Sequence, residues 1–285
     1  MSELHSKFSN TLEKTLLGLF VDDTELNQAA QYAIFPAGKR LRPICAMTIC
    51  TDLGGCLEQV VPAAAALELI HCSTLVHDDL PCMDDDDVRR GKPSVHKQFG
   101  EATGLLVGDY LVGRAFELIA SLGSVATNEL ARAYSQVCNG QYLDIIDKDS
   151  KDSCLLDTIK KIHVQKTAAL FSASFAIGAI AAQADTQVIQ SGQKLGELFG
   201  LLFQAQDDLK DGNERYKARP AGSDHKREKE LTLQRCEQDV VTQWVLTLKK
   251  EIAHCTQELR DEVGIDFLAV SSVLSLNISG IDSSV

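Results

Sequence analysis

Proline is scarce in this chain, six in 285 residues, and none falls between Ser94 and Arg219. Without a breaker, that stretch of Ala, Leu, Glu, Gln and Lys favours helix, and strand-like alternation is absent over most of the chain. Paired cysteines are missing too: the nine are odd in number, scattered from Cys45 to Cys255, and include no C-x-x-C. Neither a zinc ribbon nor a disulfide framework is suggested. Positive charge is in deficit, with 28 basic against 40 acidic side chains and a net charge of −12. That argues against a broad nucleic-acid surface or an anionic membrane partner, so any anionic substrate must be captured locally, by metal and a few cations. The longest uncharged run, Thr167 to Gln183, is rich in Ala and Ser and falls short of the ~20 strongly apolar residues of a membrane span. It reads as a buried core helix. Met1 to Phe8 carries no secretory leader, so a reducing cytoplasm is the expected compartment. No linker and no solenoid repeat divides the chain, and a single domain over residues 1–285 is expected. Hydrophobic residues at 45% and charged residues at 24% suffice for a substantial core.

What the chain has in excess is clustered aspartate. One cluster runs from Asp78-Asp79 through Pro81 to Asp84-Asp85-Asp86-Asp87 and is followed by Arg89-Arg90-Gly91; the other is Gln204-Ala-Gln-Asp207-Asp208-Leu-Lys-Asp211. So many carboxylates would repel one another unless cations lay between them. Oxygen-only ligands suit a hard ion such as Mg²⁺, which keeps several waters and completes its shell with substrate phosphate. Pro81 should end or kink the helix just after Asp79, letting Asp78 and Asp84 converge across the break. An EF-hand is excluded, because the required glycine and glutamate are absent from both possible starts. Asp85 to Asp87 read as an acidic loop or as support for the ligands. Asp207 and Asp211, one turn apart on a helix, point about 40° from each other and can share one ion. A solvated helix end would look similar, although the apolar Leu201-Leu-Phe before them favours a mostly buried helix.

The cations are few and grouped. Gly38-Lys39-Arg40-Leu41-Arg42-Pro43 places three ahead of a helix, without the G-x-x-x-x-G-K-[ST] of a P-loop. Arg89 and Arg90 either neutralise the acidic run or clamp diphosphate with their guanidinium forks. His71 lies two turns before Asp78 and points the same way. Lys166-Thr167 opens the apolar helix, where facing inward would be costly without a charged ligand.

Together these motifs closely resemble the trans-isoprenyl diphosphate synthases, the short-chain polyprenyl synthetases of farnesyl and geranylgeranyl type. The resemblance runs from about Phe35 to Glu230. It rests on Gly38-Lys39-x-x-Arg42-Pro43, Glu68-Leu-Ile-His71, Asp78-Asp79 to Asp84, Arg89-Arg90-Gly91, Phe99-Gly-Glu101, Gly108-Asp109, Gly140-Gln141-x-x-Asp144, Lys166-Thr167 and Phe203-Gln204-x-x-Asp207-Asp208-x-x-Asp211, in the family's order. It implies an all-α, isoprenoid-synthase-type bundle of roughly ten or more antiparallel helices around a deep central cavity. The two aspartate motifs would face each other across its mouth, and the chain would work as a homodimer. By the same resemblance Asp78, Asp84 and Asp207, supported by Asp79, Asp208 and Asp211, would hold Mg²⁺, about three ions per site once substrate is bound. Arg89, Lys166 and Lys229 would grip an allylic diphosphate. Lys39, Arg42, His71 and Arg90 would bind isopentenyl diphosphate, and Thr167 and Gln204 would line the reacting centre. The implied reaction is head-to-tail condensation to a product of fifteen to twenty carbons.

In such enzymes the residues four and five before the first aspartate floor the product tunnel; here they are Thr74 and Ser73. The small Ser73 favours a twenty-carbon chain, with fifteen still open if deeper Phe or Leu side chains close the tunnel. The chain departs from the family after the second cluster, where Glu228-Lys229-Glu230-Leu231-Thr232-Leu233 replaces a Gly-Lys-x-Thr-[Tyr/Phe]-Pro pattern. That departure keeps open a non-catalytic subunit of a heteromeric synthase. A class I terpene cyclase is the weaker rival, since it would normally lack the second aspartate cluster and would not need Lys39, Arg42 and His71.

Overall fold

A computed structural model describes residues 3–146, 155–214, 233 and 236–264. The described chain is all-α apart from one minimal hairpin, and it divides into two compact units. Lys229 and the altered stretch Glu228 to Thr232 lie outside the described residues.

The first unit comprises residues 1–130 and 177–184. It contains α1 (Glu3–Leu17), α2 (Glu25–Ile34), α3 (Leu41–Asp52), α4 (Leu57–Asp78), the strands β1 (Val88–Arg89) and β2 (Lys92–Pro93), α5 (Val95–Phe99) and α6 (Glu101–Ile119). Thr24 starts α2 by accepting the N–H of Asn27 on its hydroxyl at 3.2 Å, which satisfies one of the orphan donors of a helix start. α4 is the core element. Its run Ala63–Ala66, with Leu67, Leu69 and Ile70, is buried on every side, and it packs chiefly against α6 and α3. Ala-rich sequence supplies helix propensity, and small side chains let neighbouring helices approach. The helix stops at Asp78, where Pro81 denies it a further donor.

The second unit comprises residues 131–176 and 185–285. The helix α7 (Ser124–Ile146) leads into it, followed by α8 (Leu155–His163), a π-helical turn Val164–Ala168, α9 (Ala169–Ala181, leaving the unit after Ala176), α10 (Thr186–Glu214) and α11 (Gln238–Val263). Phe171, Phe175 and Phe199 are buried; Phe171 meets Phe199 edge-on with ring centroids 5.2 Å apart. Each such ring contributes about 1.5–3 kcal/mol by leaving water. α11 lays Val241, Val245, Leu248 and Ile252 against α10.

Two stretches, Leu57–Asp78 and Leu155–Ala181, are long and apolar enough to cross a membrane by length and composition. In both, 72% of the apolar window is buried inside the protein, which is how core helices behave.

Candidate active site

In the first unit the site is built on the last two turns of α4. Beyond Asp78 the chain folds back on itself. Met83 and Asp85 donate their N–H groups to Leu80 O at 2.9 and 3.1 Å, and Asp84 donates to Asp78 O at 2.9 Å. The last bond brings the backbone of Asp84 beside that of Asp78, and both side chains are half-buried. Asp79 faces another way. It is 2% exposed and gripped by Arg89, whose Nε lies 2.9 and 3.2 Å from its two oxygens and whose Nη2 makes a shorter contact. Arg89 also reaches Asp86 at 3.3 Å. Burial pushes the Asp79 carboxyl up, against the pull of Arg89. For Arg89, burial works downward but the hydrogen bonds and charge of Asp79 outweigh it, and its pKa rises.

The two arginines are presented by the hairpin. Its register, Val88 with Pro93 and Arg89 with Lys92, leaves Arg90 and Gly91 as the turn, with φ of 53° and 77°. A two-residue turn of this hand needs positive φ at both positions, which explains glycine at the second. Arg90 donates from Nη1 to Ile34 O at 3.2 Å and Pro36 O at 3.1 Å. Lys92 donates to Tyr32 O at 2.6 Å, contacts Phe35 O, and stands 3.3 Å over the Tyr32 ring. The carboxyl end of α2 is thereby capped by two cations, the sign its dipole favours.

Of the three cations before α3, the structure separates the roles. Arg40 is 4% exposed and holds a left-handed backbone with φ 50°. It is bound to Glu13 at 3.0 Å, Glu68 at 2.6 Å and Ile34 O at 2.9 Å. Burial works against its charge, yet Glu68 and Glu13 raise its pKa. Lys39 is exposed and Arg42 half-buried; burial lowers Arg42 to about 10 despite the charge of Glu68. His71 is held well below its ordinary pKa, first by burial and then by Arg42, Arg90, Arg40 and Arg89. At neutral pH it is therefore an uncharged hydrogen-bonding group amid four guanidiniums. Ser73 is buried and donates to Ile70 O at 2.8 Å; Thr74 donates to His71 O at 2.9 Å.

The second unit assembles its own constellation around the π-helical turn. Such turns insert one residue into a helix and recur at functional sites; this one carries Lys166 and Thr167. Gly140 on α7 makes room for it, since a Cβ there would lie 2.3 Å from Lys166 N. Lys166 pairs with Asp144 at 2.6 Å. Thr167 donates to Gln204 Oε1 at 2.9 Å, and Gln204 Nε2 donates to Asp208 Oδ1 at 2.8 Å. His163 Nε2 lies 3.3 Å from the other oxygen of Asp208, which Leu233 N also approaches at 3.5 Å. Asp207, the neighbour of Asp208 on α10, is half-buried. Asp211 lies in the same helix, with its side chain outside the description.

Arg40 with Glu68, Lys92, His163 and the Asp144–Lys166 pair escaped the sequence reading as parts of these constellations. Glu68 and Asp144 stood in quoted motifs, but nothing in their spacing named their partners. Asp78 and Asp84 in the first unit, and Asp207 in the second, each offer carboxylate oxygen, a donor type that suits Mg²⁺.

Residues 23–238 match the family model described as polyprenyl synthetase. The chain belongs to the polyprenyl synthetase family. The chain is 40% identical over 200 residues to the heterodimeric geranylgeranyl pyrophosphate synthase large subunit 1, chloroplastic, of Arabidopsis thaliana, a match covering 66% of the chain and 54% of that protein. It thus spans little more than half the length of the plant relatives it matches. Among solved structures, a geranyltranstransferase from Thermotoga maritima superposes with a TM-score of 0.82 at 27% identity, covering 95% of this chain and 97% of that one. A geranyltransferase from Helicobacter pylori, complexed with magnesium and isoprenyl diphosphate, gives 0.79 at 25% identity, covering 98% and 99%.

Proposed function

We propose that this chain is an Mg²⁺-dependent prenyltransferase. It would condense isopentenyl diphosphate with allylic diphosphates, head-to-tail, into an all-trans prenyl diphosphate of fifteen to twenty carbons, its two units working as one domain and the chain as a homodimer. The observation that carries this is the group of guanidiniums, Arg42, Arg90, Arg40 and Arg89, that together with burial holds His71 well below its ordinary pKa, on the helix that ends at Asp78. Such a concentration of guanidinium suits a diphosphate. The names of its relatives, synthases and transferases of prenyl groups, point the same way.

Magnesium, when bound, neutralises the diphosphate of the allylic substrate and the charge that develops as it leaves. Asp78 and Asp84 in the first unit and Asp207 in the second would be its ligands, with Asp79, Asp208 and Asp211 behind them. Arg89, Lys166 and Lys229 would hold that diphosphate; the first two would exchange Asp79 and Asp144 for it. Lys39, Arg42, His71 and Arg90 would hold isopentenyl diphosphate, His71 as a neutral donor. Thr167 and Gln204 present a hydroxyl and an amide to the allylic cation. The alkene of isopentenyl diphosphate attacks that cation, and the proton lost passes to the departing diphosphate. Two held substrates need no protein nucleophile, and their alignment supplies much of the acceleration.

The test is to incubate the purified chain with Mg²⁺, isopentenyl diphosphate and each allylic diphosphate in turn, then size the released alcohols by mass spectrometry. Products of fifteen or twenty carbons are expected. No metal-dependent product from the chain alone would overturn the reading in favour of a subunit that needs a partner. The name of the heterodimeric relative and the altered stretch Glu228 to Leu233 favour that second reading, and light scattering of the same sample separates a self-associating chain from a lone subunit.

A further inference from the structure

Outside the residues assigned to substrate, one group of donors converges. A carboxylate oxygen from Asp85, another from Asp87 and a ring nitrogen of His96 all lie within 4.8 Å of one another, the one such group of three among the described residues. The chain builds it from two directions. Asp85, with φ of 54°, follows the loop that folds back on Leu80. Ser94 N donates to Asp87 O at 2.9 Å, closing the hairpin and delivering the first turn of α5 beside Asp87. His96 stands on that turn, 5% exposed. Its Nδ1 is 3.0 Å from Ser94 Oγ, while its buried Nε2 has no hydrogen-bond partner. A buried nitrogen without a hydrogen-bond partner is unfavourable, and a cation held at this group would offer it one.

We propose that Asp85, Asp87 and His96 form a binding site for a divalent transition-metal ion. It is distinct from the carboxylates assigned to Mg²⁺, since neither Asp78 nor Asp84 belongs to the group. Imidazole with two carboxylates suits Mn²⁺ or Zn²⁺, whereas Mg²⁺ takes oxygen alone. The contact of Nδ1 with Ser94 Oγ holds the imidazole in place beside the two carboxylates. Lys97 meets Asp87 at 2.9 Å in an exposed pair that a closer cation can displace. The bound ion ties the loop after Asp84 to α5 and so fixes the hairpin that carries Arg89 and Arg90. The site does not rest on the prenyl-transfer reading.

The experiment adds Mn²⁺ alone to the purified full-length chain and records pulsed electron paramagnetic resonance. Nitrogen hyperfine modulation from a bound imidazole is expected, a signal that oxygen-only ligands cannot give. His96→Gln should abolish it and remove one class of bound Mn²⁺ in equilibrium dialysis while leaving the others. Asp87→Asn, a substitution at an exposed residue, should weaken the same class roughly tenfold or more. Absence of nitrogen modulation overturns the site. So does modulation that persists in His96→Gln, or affinity unchanged in Asp87→Asn.

Discussion

The two aspartate clusters begin with the same Asp-Asp pair and are built by different means. In the first, α4 ends at Asp78, Pro81 turns the chain, and Asp84 returns by a loop whose N–H bonds back to Asp78. In the second, Asp207 and Asp208 sit within the continuous helix α10. In both, the second aspartate has identified partners. The second aspartate is taken up by neighbours, Asp79 by Arg89 and Asp208 by Gln204, His163 and the N–H of Leu233. The first, Asp78 or Asp207, is half-buried. Adjacent residues on a helix point about 100° apart, so a pair cannot offer both carboxylates in one direction. The one that turns into the protein persists only with partners.

That division can be broken by substitution. Asp78→Ala or Asp207→Ala should lower turnover at least ~10³-fold, about 4 kcal/mol of transition-state stabilisation, with little change in melting temperature. Asp79→Ala should instead cost about 1–3 kcal/mol of folding stability, because it strands Arg89 beside Asp86. Urea unfolding and steady-state rates on the three variants decide it. A stable Asp79→Ala, or an unstable Asp78→Ala, would reverse the roles. Gly140→Ala touches only the second cluster's support. Its Cβ would press on Lys166 N, a rigid backbone atom, costing about 1–3 kcal/mol. The KM for the allylic diphosphate should rise while that for isopentenyl diphosphate holds; equal effects on both would dissolve the distinction between the units.

How much of this was legible in sequence follows from how local each cause is. The all-helical fold was, because missing proline and helical spacing act over short stretches. The end of α4 was, because Pro81 acts on its immediate neighbours. Which of Lys39, Arg40 and Arg42 would be buried was not. Arg40 is chosen by Glu13 and Glu68 from distant parts of the chain, and the left-handed backbone at Arg40 leaves no mark in the residue type. The π-helical turn was illegible for the same reason: Lys166-Thr167 reads as ordinary helix, and the space it needs is made by Gly140. The union of Asp85 and Asp87 with His96 depends on hairpin register, which sequence spacing alone does not fix.

Two smaller tests sharpen the comparison from the first cluster's side, where α4 carries features that α10 has no counterpart for. Ser73 is buried with its hydroxyl on Ile70 O, so Ser73→Tyr must push a ring into packed space at roughly 1–3 kcal/mol. If Ser73 floors the tunnel, the product sized by mass spectrometry shortens; an unaltered distribution would put the floor elsewhere. His71→Gln tests the cationic pocket through pH. Burial and then Arg42, Arg90, Arg40 and Arg89 hold His71 well below 6.5. Above about pH 6.5 the imidazole is neutral in both folded and unfolded chains and contributes no pH dependence. As pH falls further, the unfolded chain takes up a proton that the folded one refuses, and stability drops by up to ~1.4 kcal/mol per pH unit until the folded pKa is reached. Glutamine removes this loss. Urea unfolding at about pH 7.5 and about pH 5.5 should therefore show a smaller drop in His71→Gln than in the parent, other groups cancelling in the difference. Equal drops would mean that His71 accepts a proton in the folded protein, and that the four arginines around it are less concentrated than the first cluster's assignment to diphosphate requires.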